Sequence, residues 1–171
     1  MALTPSRKLT GLMIAALPAL TSILMILASL IPITGRALGP VTPPLVLISV
    51  FFWSVHRPAH LPPWAAFLIG LFYDLLSGTY LGLWAFIATL ISAYGLSQRN
   101  SVITGGFFLG WLAFIMAAIA ISVLAWVLVS LLSLATFPHQ PIVYSTLLLI
   151  GLYPPISFLF GKLQQWGLRY G

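Results

Sequence analysis

The chain has 171 residues, of which 61% are hydrophobic and only 5% charged. Folded soluble domains carry about 25% charged residues, so a water-covered globule is excluded and the surrounding medium must be largely lipid. The net charge of +6 is no nucleic-acid signature, because the basic residues stand singly at the ends of apolar runs. With no cysteine, disulfides, thiolate nucleophiles and thiolate metal ligands are excluded too.

The polar lead MALTPSRKLT carries Arg7 and Lys8. The first apolar run, residues 9–33, is longer than the ~7–15 residues of a signal-peptide core. It therefore predicts a retained first helix, kinked at Pro18. Pro32 to Pro44 reads as a loop with Gly35, Arg36 and Gly39. The second run, residues 41–55, spans about 22 Å at ~1.5 Å per residue, short of a ~30 Å hydrocarbon core. It either thins the bilayer or is sheltered by neighbouring helices. The loop HRPAHLPP (residues 56–63) follows, with Trp53 and Trp64 at its edges as interfacial aromatics.

The third and fourth runs, residues 64–77 and 80–97, are joined by the tight turn Ser77-Gly78-Thr79 and should be antiparallel neighbours. Gln98-Arg99-Asn100 is expected to end the fourth. The fifth run, residues 105–135, is longer than an upright crossing and must tilt or continue past the interface. Phe137-Pro138-His139-Gln140-Pro141 breaks it. The sixth, residues 142–160, contains Pro154 and Pro155, and the tail holds Lys162, Trp166 and Arg169.

The expected fold is all-α: one polytopic membrane domain, residues 1–171, with six transmembrane helices. With a cytoplasmic N-terminus, Arg7, Lys8, Arg57, Arg99, Lys162 and Arg169 fall inside and only Arg36 outside. That distribution follows the positive-inside rule and puts both termini in the cytoplasm.

Asp74, the only acidic residue, lies in the apolar stretch FLIGLFYDLLSGTYLG (residues 67–82). A carboxylate at membrane depth costs about 2.5–3.5 kcal/mol on insertion scales, which makes it a functional candidate by default. In one reading it accepts hydrogen bonds from backbone or hydroxyl groups where the third and fourth helices turn, Thr79 or Tyr80 among them, and fixes that turn. In the other it binds a partner's cation or a translocated proton. The first is favoured, because no span supplies a second acid or base for a proton path. Gly78-xxx-Gly82 and Gly106-xxx-Gly110 have the small-xxx-small spacing of close helix packing, internal or with a partner helix. Ser77-Gly78 also reads as a helix terminus.

Enzyme chemistry fails on inventory. One carboxylate cannot hold the metals of a phosphotransfer site. His56 and His60 are spaced i, i+4, but Pro58, Pro62 and Pro63 argue against a helix that would align them for zinc, and His139 falls on the other side. Ser77 has no base in reach. No catalytic, cofactor or metal-binding residue is expected.

The order of a Pro-rich basic loop, then Phe67, Gly70, Leu71, Asp74, Leu75, Leu76, Ser77, Gly78, Leu81 and Gly82, then a helix of small and apolar residues, resembles the bacterial rod shape-determining protein MreD family. The resemblance is specific over residues 56–90 and rests on hydropathy elsewhere. It implies a non-catalytic inner-membrane subunit of the cell-elongation machinery. Such a subunit associates with the single-span periplasmic protein MreC and, through it, with the MreB cytoskeleton and peptidoglycan synthases. The family is also similar in hydropathy and fold to the substrate-binding subunits of energy-coupling-factor vitamin transporters, which implies a small-molecule carrier as the alternative. Gly70, Asp74, Ser77, Gly78, Gly82 and Arg57 are the candidate structural or partner-binding residues. Arg36, Thr34, Thr42 and His139 would be the polar candidates for a carrier pocket, and Arg57 or Arg99 for lipid headgroups.

Overall fold

The computed structural model describes the backbone of residues 5–31, 33–35, 39–133 and 139–169, and the side chains of residues 16–31, 42–132 and 139–165. Arg36 and Phe137-Pro138 lie outside the described residues, as do the side chains of Arg7, Lys8, Thr34, Trp166 and Arg169.

The described chain is helical apart from one hairpin of two three-residue strands. Helix α1 (Pro5–Ser29) leads to β1 (Ile33–Gly35) and β2 (Gly39–Val41), which pair antiparallel with Ile33 opposite Val41. The expected loop between the first two runs is thus partly a hairpin. Then follow α2 (Val46–His56), α3 (Pro63–Ser77), α4 (Leu83–Ser133) and α5 (Gln140–Arg169).

α4 is not one rod. Gly106 has φ 70° and ψ −165°, outside the helical region, and the chain folds back there. Val102 approaches Gly110, and the Phe51 ring contacts Tyr94 of one half and Phe114 of the other. Residues 83–105 and 107–133 therefore form an antiparallel pair, giving six helical segments among the described residues. The fourth run was expected to end at Gln98-Arg99-Asn100, yet the helix continues through these residues. The polar triplet does not stop a helix whose backbone bonds are already made, whereas a positive φ does. α5 likewise outruns the expected residues 142–160, starting at Gln140 and continuing to Arg169.

The centre of the molecule is α2. Every residue from Val46 to Val55 is buried, which matches a sequence apolar on all sides. Its 11 residues span about 16 Å at ~1.5 Å each. Protein surrounds this short helix, so lipid need not adjust to its length. Phe51 meets Tyr94, Phe114 and Tyr153, while Phe52 and Trp53 meet Phe160.

Hydroxyls bind the helices together inside. Ser22 and Ser49 lie 2.9 Å apart, the Trp53 indole N–H donates to Thr21 at 2.8 Å, Ser54 donates to Ser92 at 2.9 Å, and Thr146 donates to Ser122 at 2.6 Å. On the perimeter, Leu20, Leu24, Leu68, Leu75, Phe108 and Leu131 are more than half exposed. Large apolar side chains thus cover the outside as well as the core, which departs from the soluble pattern. Two stretches, Leu83–Leu132 with its break at Gly106 and Gln140–Gln165, are long and apolar enough to cross a bilayer.

α5 shows how the bundle repairs a proline. Pro154 has no N–H, so the Ile150 carbonyl four residues earlier lacks its helical donor. The Trp111 indole N–H donates to that carbonyl at 3.3 Å.

Candidate functional site

The site begins with the end of α3. Gly78 adopts φ 65° and ψ 23°, and its N–H donates to the Asp74 carbonyl at 3.1 Å. This is a glycine C-cap, where a left-handed residue costs nothing because there is no Cβ. Ser77 donates its hydroxyl to the Tyr73 carbonyl at 2.8 Å and lies 3.0 Å from the Thr79 hydroxyl. Gly82 is also left-handed, with φ 94°. Its carbonyl accepts the N–H of Phe86 at 2.9 Å, which starts α4.

A helix start leaves backbone N–H groups without partners, and a side chain at the N-cap position usually accepts from the second or third. Gly82 has no side chain to do this. Asp74 performs the task from the neighbouring helix. Asp74 is buried, 1% exposed. Oδ1 accepts from the Trp84 N–H and the Thr79 hydroxyl, each at 3.1 Å. Oδ2 accepts from the Gly82 N–H at 2.9 Å and the Ala85 N–H at 3.2 Å. The carboxylate also sits at the positive end of the α4 dipole.

Gly70 makes this approach possible. A Cβ there would lie 2.6 Å from the Ala85 Cα and closer still to the Trp84 carbonyl oxygen. α3 therefore presses backbone to backbone against the first turn of α4, one helical turn before Asp74.

Chain-wide comparison adds the family. The model of rod shape-determining protein MreD matches residues 8–163. The chain belongs to the MreD family. Comparison with curated proteins and with solved structures yields no match. Membership brings a role in rod-shape determination and, with the apolar helices, identifies a membrane protein.

In this MreD-family chain, five of the six singled-out residues gather at one place: Gly70, Asp74, Ser77, Gly78 and Gly82 build the α3–α4 junction. Arg57 does not join them. It follows α2 at the opposite end, donating its N–H to the Trp53 carbonyl at 2.7 Å. Two sequence expectations need correction. Gly78-xxx-Gly82 is no helix face, since both glycines lie in the turn with positive φ and a Cβ at either would meet nothing within 4 Å. Gly106-xxx-Gly110 is no helix face either, because Gly106 is the break in α4.

Sequence reasoning gave Asp74 backbone or hydroxyl donors at this turn and named Thr79, which does donate, but it did not identify the amides as those of Gly82, Trp84 and Ala85. It missed the Trp111–Ile150 bond, for which Pro154 was an available signal. Among the described residues no group of three or more His, Asp or Glu side chains comes together. His56 closes α2 beyond the expected span. Its ring stacks on Phe52 at 4.1 Å, its Nδ1 lies 2.9 Å from the Phe52 carbonyl, and burial pushes its imidazole below the ordinary value. Arg99 donates from Nε to the Val55 carbonyl at 3.2 Å, tying the first half of α4, just before its break, to the end of α2.

Proposed function

We propose that this chain is a non-catalytic scaffold in the bacterial inner membrane, part of the cell-elongation complex. It crosses the bilayer six times with both termini cytoplasmic. Its helices bind the transmembrane helix of MreC and thereby help to position MreB and the peptidoglycan synthases. The family match over residues 8–163 carries this reading. Two features support it. The only acid in the sequence is consumed in holding α3 to α4. The apolar perimeter offers surface for lipid and for partner helices. Co-purification in detergent tests it. Tagged protein should retain MreC, and a preparation that never does so, while a control membrane protein keeps its own partner, would sink the scaffold.

A second reading, the small-molecule carrier, is favoured by one cavity. It occupies about 310 Å³ between the start of α2, both halves of α4 and the start of α5, with Thr42, Ser122, Ser145 and Thr146 among its lining. Small-molecule pockets begin near ~300 Å³ and combine apolar walls with a few polar groups. Thr42 lines it and His139 lines the adjoining groove. Mass spectrometry of denatured protein would recover a retained metabolite under this reading and none under the first.

A further inference from the structure

At the end of the bundle opposite Asp74, the fold-back at Gly106 leaves a cleft of about 560 Å³ between α2, the bend of α4 and the last turns of α5. Its lining differs from the other described cavities. Lys162, Gln164, Gln165 and Ser157 bring polar groups to it, while Phe107 and Phe158 form apolar walls. The Lys162 ammonium sits 4.6 Å from the centre of the Phe158 ring. Phe107 and Phe158 are 58% and 64% exposed, so these walls continue into the apolar perimeter.

We propose that this cleft binds the phosphate headgroup of an anionic phospholipid, with Lys162 and the Gln164 and Gln165 amides facing the phosphate and the aromatic walls facing the acyl chains. Charge decides the sign of the ligand. The sequence has seven Lys and Arg against one acidic residue, and Asp74 is engaged at the far end of α3. Lys162 thus has no side-chain carboxylate in its own chain to pair with. Glycine decides the room. Gly106, Gly110 and Gly161 all line the cleft, and a Cβ at Gly161 would meet nothing within 4 Å. A polar rim joined to apolar walls suits an amphiphile better than a free ion. The inference rests on the membrane reading above, and does not depend on MreC.

The test uses full-length protein in nanodiscs, with retained lipid read by native mass spectrometry. Wild type should retain phosphatidylglycerol over phosphatidylcholine. Lys162→Gln should lower that preference about fivefold, the factor one lysine near an anionic membrane supplies. Gly161→Trp keeps the charge and fills the cleft, and should abolish the preference. Gly151→Trp, on an open part of α5, should leave it unchanged. Excess inorganic phosphate distinguishes the sources: retention in its presence assigns the site to lipid, and displacement assigns the same phosphate chemistry to a soluble ligand and removes the acyl-chain part of the proposal. No preference in wild type, or full preference in Gly161→Trp, overturns the site. MreC retention read in the same preparations tests the scaffold separately, since Lys162→Gln should keep it.

Discussion

Asp74 shows how a costly residue becomes useful. Its two oxygens accept from one hydroxyl and three backbone N–H groups that would otherwise be unpaired at the start of α4. Leaving a buried donor unmatched costs about 1–3 kcal/mol each. Asp74→Ala should therefore destabilise by about 3 kcal/mol or more, seen as a lower unfolding midpoint in detergent. Asp74→Asn should fall between, because it retains one acceptor oxygen but turns an amide N–H toward other donors. Equal midpoints for wild type and Asp74→Ala would refute the capping role. The glycines should separate in the same assay. Gly70→Ala drives a Cβ into the Trp84–Ala85 backbone, so it should be the most damaging. Gly78→Ala and Gly82→Ala carry only the left-handed penalty of about 1 kcal/mol. If all three lose the same stability, the backbone-to-backbone approach of α3 and α4 is wrong.

α2 and α5 show how sequence and packing trade roles at the level of whole helices. α2 was legible as an apolar run too short for lipid, and its complete burial follows from having no polar face. α5 was legible only in part. Pro154-Pro155 would break a helix in water, but here the indole of Trp111 takes over the freed Ile150 carbonyl. Trp111→Phe should cost about 1 kcal/mol, the net worth of one hydrogen bond. In a Pro154→Ala background the restored N–H serves Ile150 itself, so the same change should cost much less. A double-mutant cycle measures the difference, and additive effects would remove Trp111 from this role. A break between the fourth and fifth runs was legible, but its position was not: Gln98-Arg99-Asn100 stays helical and the chain turns at Gly106 instead.

Across the molecule, the segments alternate direction, so the loop at residues 57–62 and the bend near Gly106 share one end while the α3–α4 turn and His139 share the other. Without native cysteines, single reporters can test the proposed orientation. His139→Cys should react with a membrane-impermeant maleimide added to intact spheroplasts. Ala59→Cys should react only after lysis. Labelling of both from outside would refute the six-crossing arrangement.

Hydropathy and charge placement, both additive along the chain, were enough to name lipid as the solvent, to mark the apolar runs and to isolate Asp74 as the residue needing a reason. Only three-dimensional packing could say what that reason was. A local cap reaches two or three residues ahead, whereas Asp74 reaches 8 to 11, to amides of another helix. The two glycines after it have the spacing of a helix face and the dihedral angles of a turn. Spacing is written in the chain, but φ is settled by what each backbone group finds to bond with once the helices meet.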